Sequence, residues 1–126
     1  MQNNNTKLKT DLKYRSYIYA LDIMKLIDSL DRKDLSIEVI SKQLIRSATS
    51  IGANIIEAQA GSTKKDFTNF FSYALKSANE TKFWIGLLRD SKKVGKDKAD
   101  RLLNEVVELS NMLASSIITL KGKRKL

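Results

Sequence analysis

Cysteine, histidine and proline are all missing from this 126-residue sequence, and glycine occurs only five times. Without Cys there is no disulfide and no thiolate nucleophile; without His there is no imidazole base and no zinc site of the ordinary kind. Most common hydrolase mechanisms are thereby excluded. The lack of Pro and scarcity of Gly remove the turn residues on which sandwiches and barrels depend, which leaves an all-helical chain as the natural reading. Long apolar runs are missing too: none approaches the 18 residues needed to span a bilayer, and no basic-then-apolar segment opens the sequence. A cytoplasmic protein with no membrane contact is expected.

The residues that are present describe a folded domain. Hydrophobic side chains make up 42% and charged ones 29%, enough apolar surface to offset the ordering entropy of one core. The net charge of +9 favours polyanionic partners, RNA or DNA first among them. The charge is uneven. Residues 61–96 hold eight Lys or Arg against three Asp or Glu, whereas residues 37–60 hold two of each.

Apolar positions recur at helical spacing in four blocks. In the first, Tyr14, Tyr17, Ile18, Leu21 and Met24 suggest the buried face of a helix running from Asp11 to about Leu30. Asp34 or Ser36 can cap a second helix, whose Ile37, Ile40, Leu44, Ala48, Ile51, Ile55 and Ala58 step like a heptad seam up to Gly61. Ser62 or Thr63 can cap a third, with Phe67, Phe71, Ala74, Ala78, Thr81, Ile85 and Leu88 inward. After a break at residues 91–96, Asp97 is a candidate cap for a fourth, with Ala99, Leu102, Val106, Leu109, Leu113, Ile117 and Leu120. Residues 11–120 therefore predict an antiparallel up-and-down four-helix bundle, between a flexible lead-in at 1–10 and a basic tail at 121–126.

Helices two and three carry more apolar residues than one seam needs. Ile45, Ile56, Phe70, Tyr73, Phe83 and Trp84 lie off the stripes, either widening the core or forming a subunit interface, where aromatics are enriched; a homo-oligomer is favoured. Gly52 and Gly86 inside helices suggest close approach of another backbone. Ser47, Ser50, Asn54 and Glu57 form a polar stripe down the second helix, and level-matching across the hairpin pairs Arg46 with Glu80, a contact suited to fixing helix register. A carboxylate metal site at Asn54, Glu57 and Glu80 is the sharper alternative, but bundle di-metal centres use Glu-x-x-His and His is absent. No phosphate-binding Gly loop or Ser-based triad is present. Neither catalytic residues nor a cofactor are expected.

The candidate phosphate contacts are Lys64 and Lys65 at one end of the third helix, Lys92, Lys93 and Lys96 beyond its other end, and the tail residues Lys121, Lys123, Arg124 and Lys125. An oligomer would repeat each cluster in a ring that binds phosphates without reading bases. A structural or protein-interaction module, with the charge serving solubility, is the alternative.

The order Ser50-Ile51-Gly52-Ala53-Asn54-Ile55-Ile56-Glu57, then Lys64-Lys65-Asp66-Phe67, then Ser77-Ala78-Asn79-Glu80 with Trp84, resembles the bacterial four-helix-bundle family of proteins encoded in intervening sequences of 23S rRNA genes, also called the S23 ribosomal protein family. That family is in turn similar to the accessory protein of diversity-generating retroelements. The resemblance implies a pentamer, binding to nucleic acid and a reverse transcriptase as a partner. Where the family continues as Asn-Ile-Ala-Glu-Gly, this chain has Ile56 and Ala58, which implies a second helix that runs on towards Gly61.

Overall fold

The computed structural model describes residues 4–61 and 63–125, with side chains described over 11–61 and 63–122. Its elements are four helices: α1 (Asn4–Asp28), α2 (Leu35–Ala60), α3 (Lys64–Asp90) and α4 (Lys96–Lys125). Each packs against its two neighbours, α1 with α2, α2 with α3, α3 with α4 and α4 with α1, and among the described residues the backbones of the two diagonal pairs stay apart. This closed square with short loops is the antiparallel up-and-down bundle expected from the spacing.

The helix ends follow local chemistry. Asp34 caps α2 by accepting from the Ile37 amide at 3.1 Å, and Thr63 caps α3 by accepting from the Asp66 amide at 3.0 Å. Each satisfies a donor that the first helical turn leaves without a partner. α2 does run on to Ala60, with Gly61 as its C-cap. Beyond α3, the Lys92 and Lys93 amides bond to the Arg89 and Leu88 carbonyls at 3.0 and 2.9 Å, and Lys92 adopts φ 62°. This is a Schellman ending with lysine at the left-handed position that glycine usually takes. α4 starts at Lys96, two residues earlier than a cap at Asp97 requires; the Gly95 carbonyl accepts from the Ala99 amide, and Asp97 sits in the first turn, its charge facing the amide end of the helix dipole. Ser62, the alternative cap for α3, lies outside the described residues. α1 begins at Asn4 rather than Asp11, and α4 continues to Lys125 rather than stopping at Leu120; residues 1–3 and 126 lie outside the described residues.

The seams expected for α2, α3 and α4 form the core. Leu44, Ala48, Ile51, Ile55, Ala78, Ile85, Leu88, Val106, Leu109 and Leu113 are all fully buried. α1 differs from expectation. Its buried stripe is Leu12, Ser16, Tyr19, Ile23 and Leu26, whereas Tyr14, Tyr17, Leu21 and Met24 face outwards. Both stripes step by three and four, so periodicity alone does not decide between them. Packing does: Ser16 is the small residue that lets α1 approach α2 at Gly52, where an added Cβ would stand 3.5 Å from the Cβ of Ser16. Tyr19 fits inside because its hydroxyl donates to the Leu102 carbonyl at 2.9 Å, and burial pushes its phenol pKa up. The close approach inferred for Gly52 is thus made by α1 of the same chain, at ordinary contact distance. At Gly86 nothing stands within 4 Å of an added Cβ, so no neighbouring backbone of the described chain accounts for it.

Candidate nucleic-acid interface

The up-and-down topology decides which basic residues share an end. The beginnings of α1 and α3 and the end of α4 lie together, so Lys64 and Lys65 join the run 121–125 at one end of the bundle. The part of α1 that carries Lys7 and Lys9 is at this end as well. Lys64, Lys65 and Lys121 are exposed, and among the described residues none is within ion-pair distance of a carboxylate. The Lys123, Arg124 and Lys125 side chains lie outside those described. Thr63 and Thr68 fix the backbone beneath the α3 lysines, Thr68 Oγ1 donating to the Lys64 carbonyl at 2.8 Å.

The opposite end contrasts with this. Lys93 Nζ lies 2.7 Å from Asp34 Oδ2, and Lys96 Nζ lies 2.6 Å from Asp100 Oδ2. Arg89 joins Asp100 and Asp90, each at 2.9 Å. The Lys93 hydrogen bond and the Ile37 amide hold the Asp34 carboxyl below its ordinary range, and Lys96 and Arg89 do the same to Asp100. The structure thus separates the two clusters: among the described residues Lys64 and Lys65 meet no carboxylate, while Lys93 and Lys96 are engaged within the chain and Lys92 alone of that group is exposed and unpaired.

The polar residues of α2 meet α3. Thr81 Oγ1 lies 2.9 Å from Ser47 Oγ, Ser77 donates to Ser50 Oγ at 3.0 Å, and the Asn54 amide donates to the Ser50 hydroxyl and carbonyl, both at 2.9 Å. Arg46 does pair with Glu80, whose carboxylate also accepts from Trp84 Nε1 at 2.9 Å, while Gln43 Oε1 accepts from Arg46. These contacts tie the two helices at several heights and fix their register. Glu57 is exposed and stands apart from them. Among the described residues no group of three acidic side chains is placed to hold a metal ion. A second clamp was not anticipated: Arg15 grips Glu105 through two hydrogen bonds of 2.7 and 3.0 Å and reaches Glu108 at 2.7 Å, joining α1 to α4. Bonding to Glu105 pushes the Arg15 pKa further up. The three-residue spacing of Glu105 and Glu108 was the available signal, but sequence does not say which helix faces them.

The off-stripe apolar residues divide. Ile45, Phe70 and Trp84 are partly buried and pack against the core, while Ile56, Tyr73 and Phe83 remain exposed. Phe83 meets the Trp84 ring edge-on with centroids 4.9 Å apart, and Phe70 meets Tyr73 similarly at 6.1 Å. No helix among the described residues is long and apolar enough to cross a membrane.

Residues 9–115 match the family described as 23S rRNA-intervening sequence protein. A crystal structure from Bacteroides thetaiotaomicron, described as a protein of unknown function from the S23 ribosomal protein family, is similar at 36% identity; the alignment covers 87% of this chain and 97% of that one, with a TM-score of 0.81. No curated protein matches.

Proposed function

The chain belongs to the family of 23S rRNA-intervening sequence proteins, and from that premise we propose that it is a non-enzymatic, cytoplasmic, homo-oligomeric bundle that binds RNA or DNA without reading sequence. The observation that carries this is the asymmetry of the ends: Lys64, Lys65 and Lys121 share one end and lie free of carboxylates among the described residues. Free ammonium groups can release counterions from a phosphate backbone, whereas lysines already paired contribute less. A pentamer, as the family resemblance implies, would repeat this end five times around one axis. Such a ring suits an accessory to a nucleic-acid enzyme such as a reverse transcriptase.

Binding to unrelated RNA and duplex DNA across a salt series tests the reading. The logarithm of the affinity should fall linearly with log salt, and Lys64→Glu with Lys65→Glu should weaken binding at least about tenfold at low salt and flatten the slope by about one to two phosphate contacts. Undetectable binding at low salt would overturn it. A second reading, a protein-interaction module, is favoured by the outward apolar stripe of α1, and that result would leave it in front.

A further inference from the structure

α1 and α3 occupy opposite corners of the square, with their backbones apart among the described residues. Each nevertheless carries apolar side chains on the side turned away from the core. On α1 these are Tyr14 and Tyr17, both 63% exposed, with Leu21 and Met24; on α3 they are Tyr73, Phe83 and Leu87, with Lys76 and Glu80 between them. Among the described residues, seven of the twelve exposed large hydrophobic side chains lie on these two stripes.

The stripes match in spacing and in height. Positions 14, 17, 21, 24 and 28 step by 3, 4, 3 and 4, and so do 73, 76, 80, 83 and 87. Contacts within the chain set the relative heights. Ser16 faces Gly52 across α1 and α2, and Ser50 meets Ser77 while Ser47 meets Thr81 across α2 and α3. Counting along these antiparallel pairs places Tyr14 level with Tyr73, Tyr17 with Lys76, Leu21 with Glu80 and Met24 with Phe83. Because α1 and α3 run in the same direction, the match holds along the whole stripe when two bundles stand side by side.

We propose that the α1 stripe of one copy docks on the α3 stripe of a second copy at equal height; this rests on the homo-oligomeric reading above and names its contact. At three of the five levels the pairing is favourable. Tyr14 meets Tyr73, the Met24 thioether meets the Phe83 ring, and the Lys76 ammonium lies at the height of the Tyr17 ring. At the rim Lys25 stands one helical turn above Glu80, a span its long stem can reach; Arg46 and Trp84 hold Glu80 Oε2, which leaves Oε1 for the ammonium. The two stripes occupy opposite corners, so the contact is head-to-tail, and repetition builds a ring when the rotation between copies closes and an open filament when it does not.

The test is solution mass by light scattering, with helicity checked by circular dichroism. One variant carries Leu21→Asp and Met24→Asp, the other Phe83→Asp and Leu87→Asp; all four side chains are exposed, so both variants should keep the bundle. Each alone should fall to the 14.3 kDa of one chain, and an equimolar mixture should form a two-chain species, since each variant retains the stripe that the other lacks. Cysteine is absent from the natural chain, so a Tyr14→Cys chain mixed with a Tyr73→Cys chain should give a cross-linked pair on oxidation. A wild-type protein with the mass of one chain would overturn the homo-oligomeric reading and this contact together. An assembled wild type whose α1 variant keeps its mass would overturn the contact alone. So would an α3 variant that stays assembled, or a Tyr14→Cys chain that cross-links only to itself.

Discussion

The two ends of this bundle carry similar numbers of lysines and put them to different use. At the end formed by the start of α3 and the finish of α4, Lys64, Lys65 and Lys121 project into solvent without carboxylates in reach among the described residues. At the other, Lys93, Lys96 and Arg89 are spent on Asp34, Asp100 and Asp90, where they brace the α1–α2 and α3–α4 connections. A count of basic residues therefore overstates how much of the surface is available to a polyanion. What matters is which cations have already found a partner inside the chain, since a paired ammonium releases fewer counterions when phosphate arrives.

The largest expected effect breaks this comparison directly. Reversing Lys64 and Lys65 should weaken nucleic-acid binding at least about tenfold at low salt, whereas reversing Lys93 and Lys96 should change it by roughly threefold or less; filter binding on both variants checks this, and equal losses would erase the distinction between the ends. Next, Asp34→Ala should raise affinity at the paired end by releasing Lys93. The same change removes the α2 cap, so the melting temperature should fall while binding rises, and calorimetry with the binding assay reads both. A substitution to glycine at Lys92 should stabilise the fold by roughly 1 kcal/mol, by relieving the left-handed backbone at that position, while costing little affinity; urea titration measures it.

Acid gives the subtlest contrast. Asp34 and Asp100 titrate below their ordinary 3.8 in the folded chain. A depressed carboxyl contributes stability that is complete above its unfolded value and is lost as pH falls through the folded one, so the paired end should weaken as pH drops below the ordinary carboxylate range. Amide exchange should then rise first around residues 31–37 and 91–97, and later around Thr63 and Lys64. Uniform exchange along the chain would contradict it.

Much of the architecture is legible in the sequence. The seams of α2, α3 and α4 were readable because each helix has one dominant apolar stripe, and a 3.6-residue period admits only one way to bury it. The Arg46–Glu80 pair was readable because a short loop between two long antiparallel helices fixes their relative height. α1 was misread for the complementary reason: it has two apolar stripes at the same spacing, and the side that turns inward is set by Ser16 against Gly52 and by the Leu102 carbonyl waiting for the Tyr19 hydroxyl. The same holds for charge. Composition determined that the protein is basic, and helical period determined four amphipathic helices, leaving Asp34 or Ser36 and Ser62 or Thr63 as caps; the structure takes Asp34 and Thr63. Only the tertiary structure decided which lysines are free, because pairing depends on neighbours up to 59 positions away in the chain, as with Asp34 and Lys93. Local sequence carries the period of a helix, whereas the partner across a bundle is a property of the packed whole.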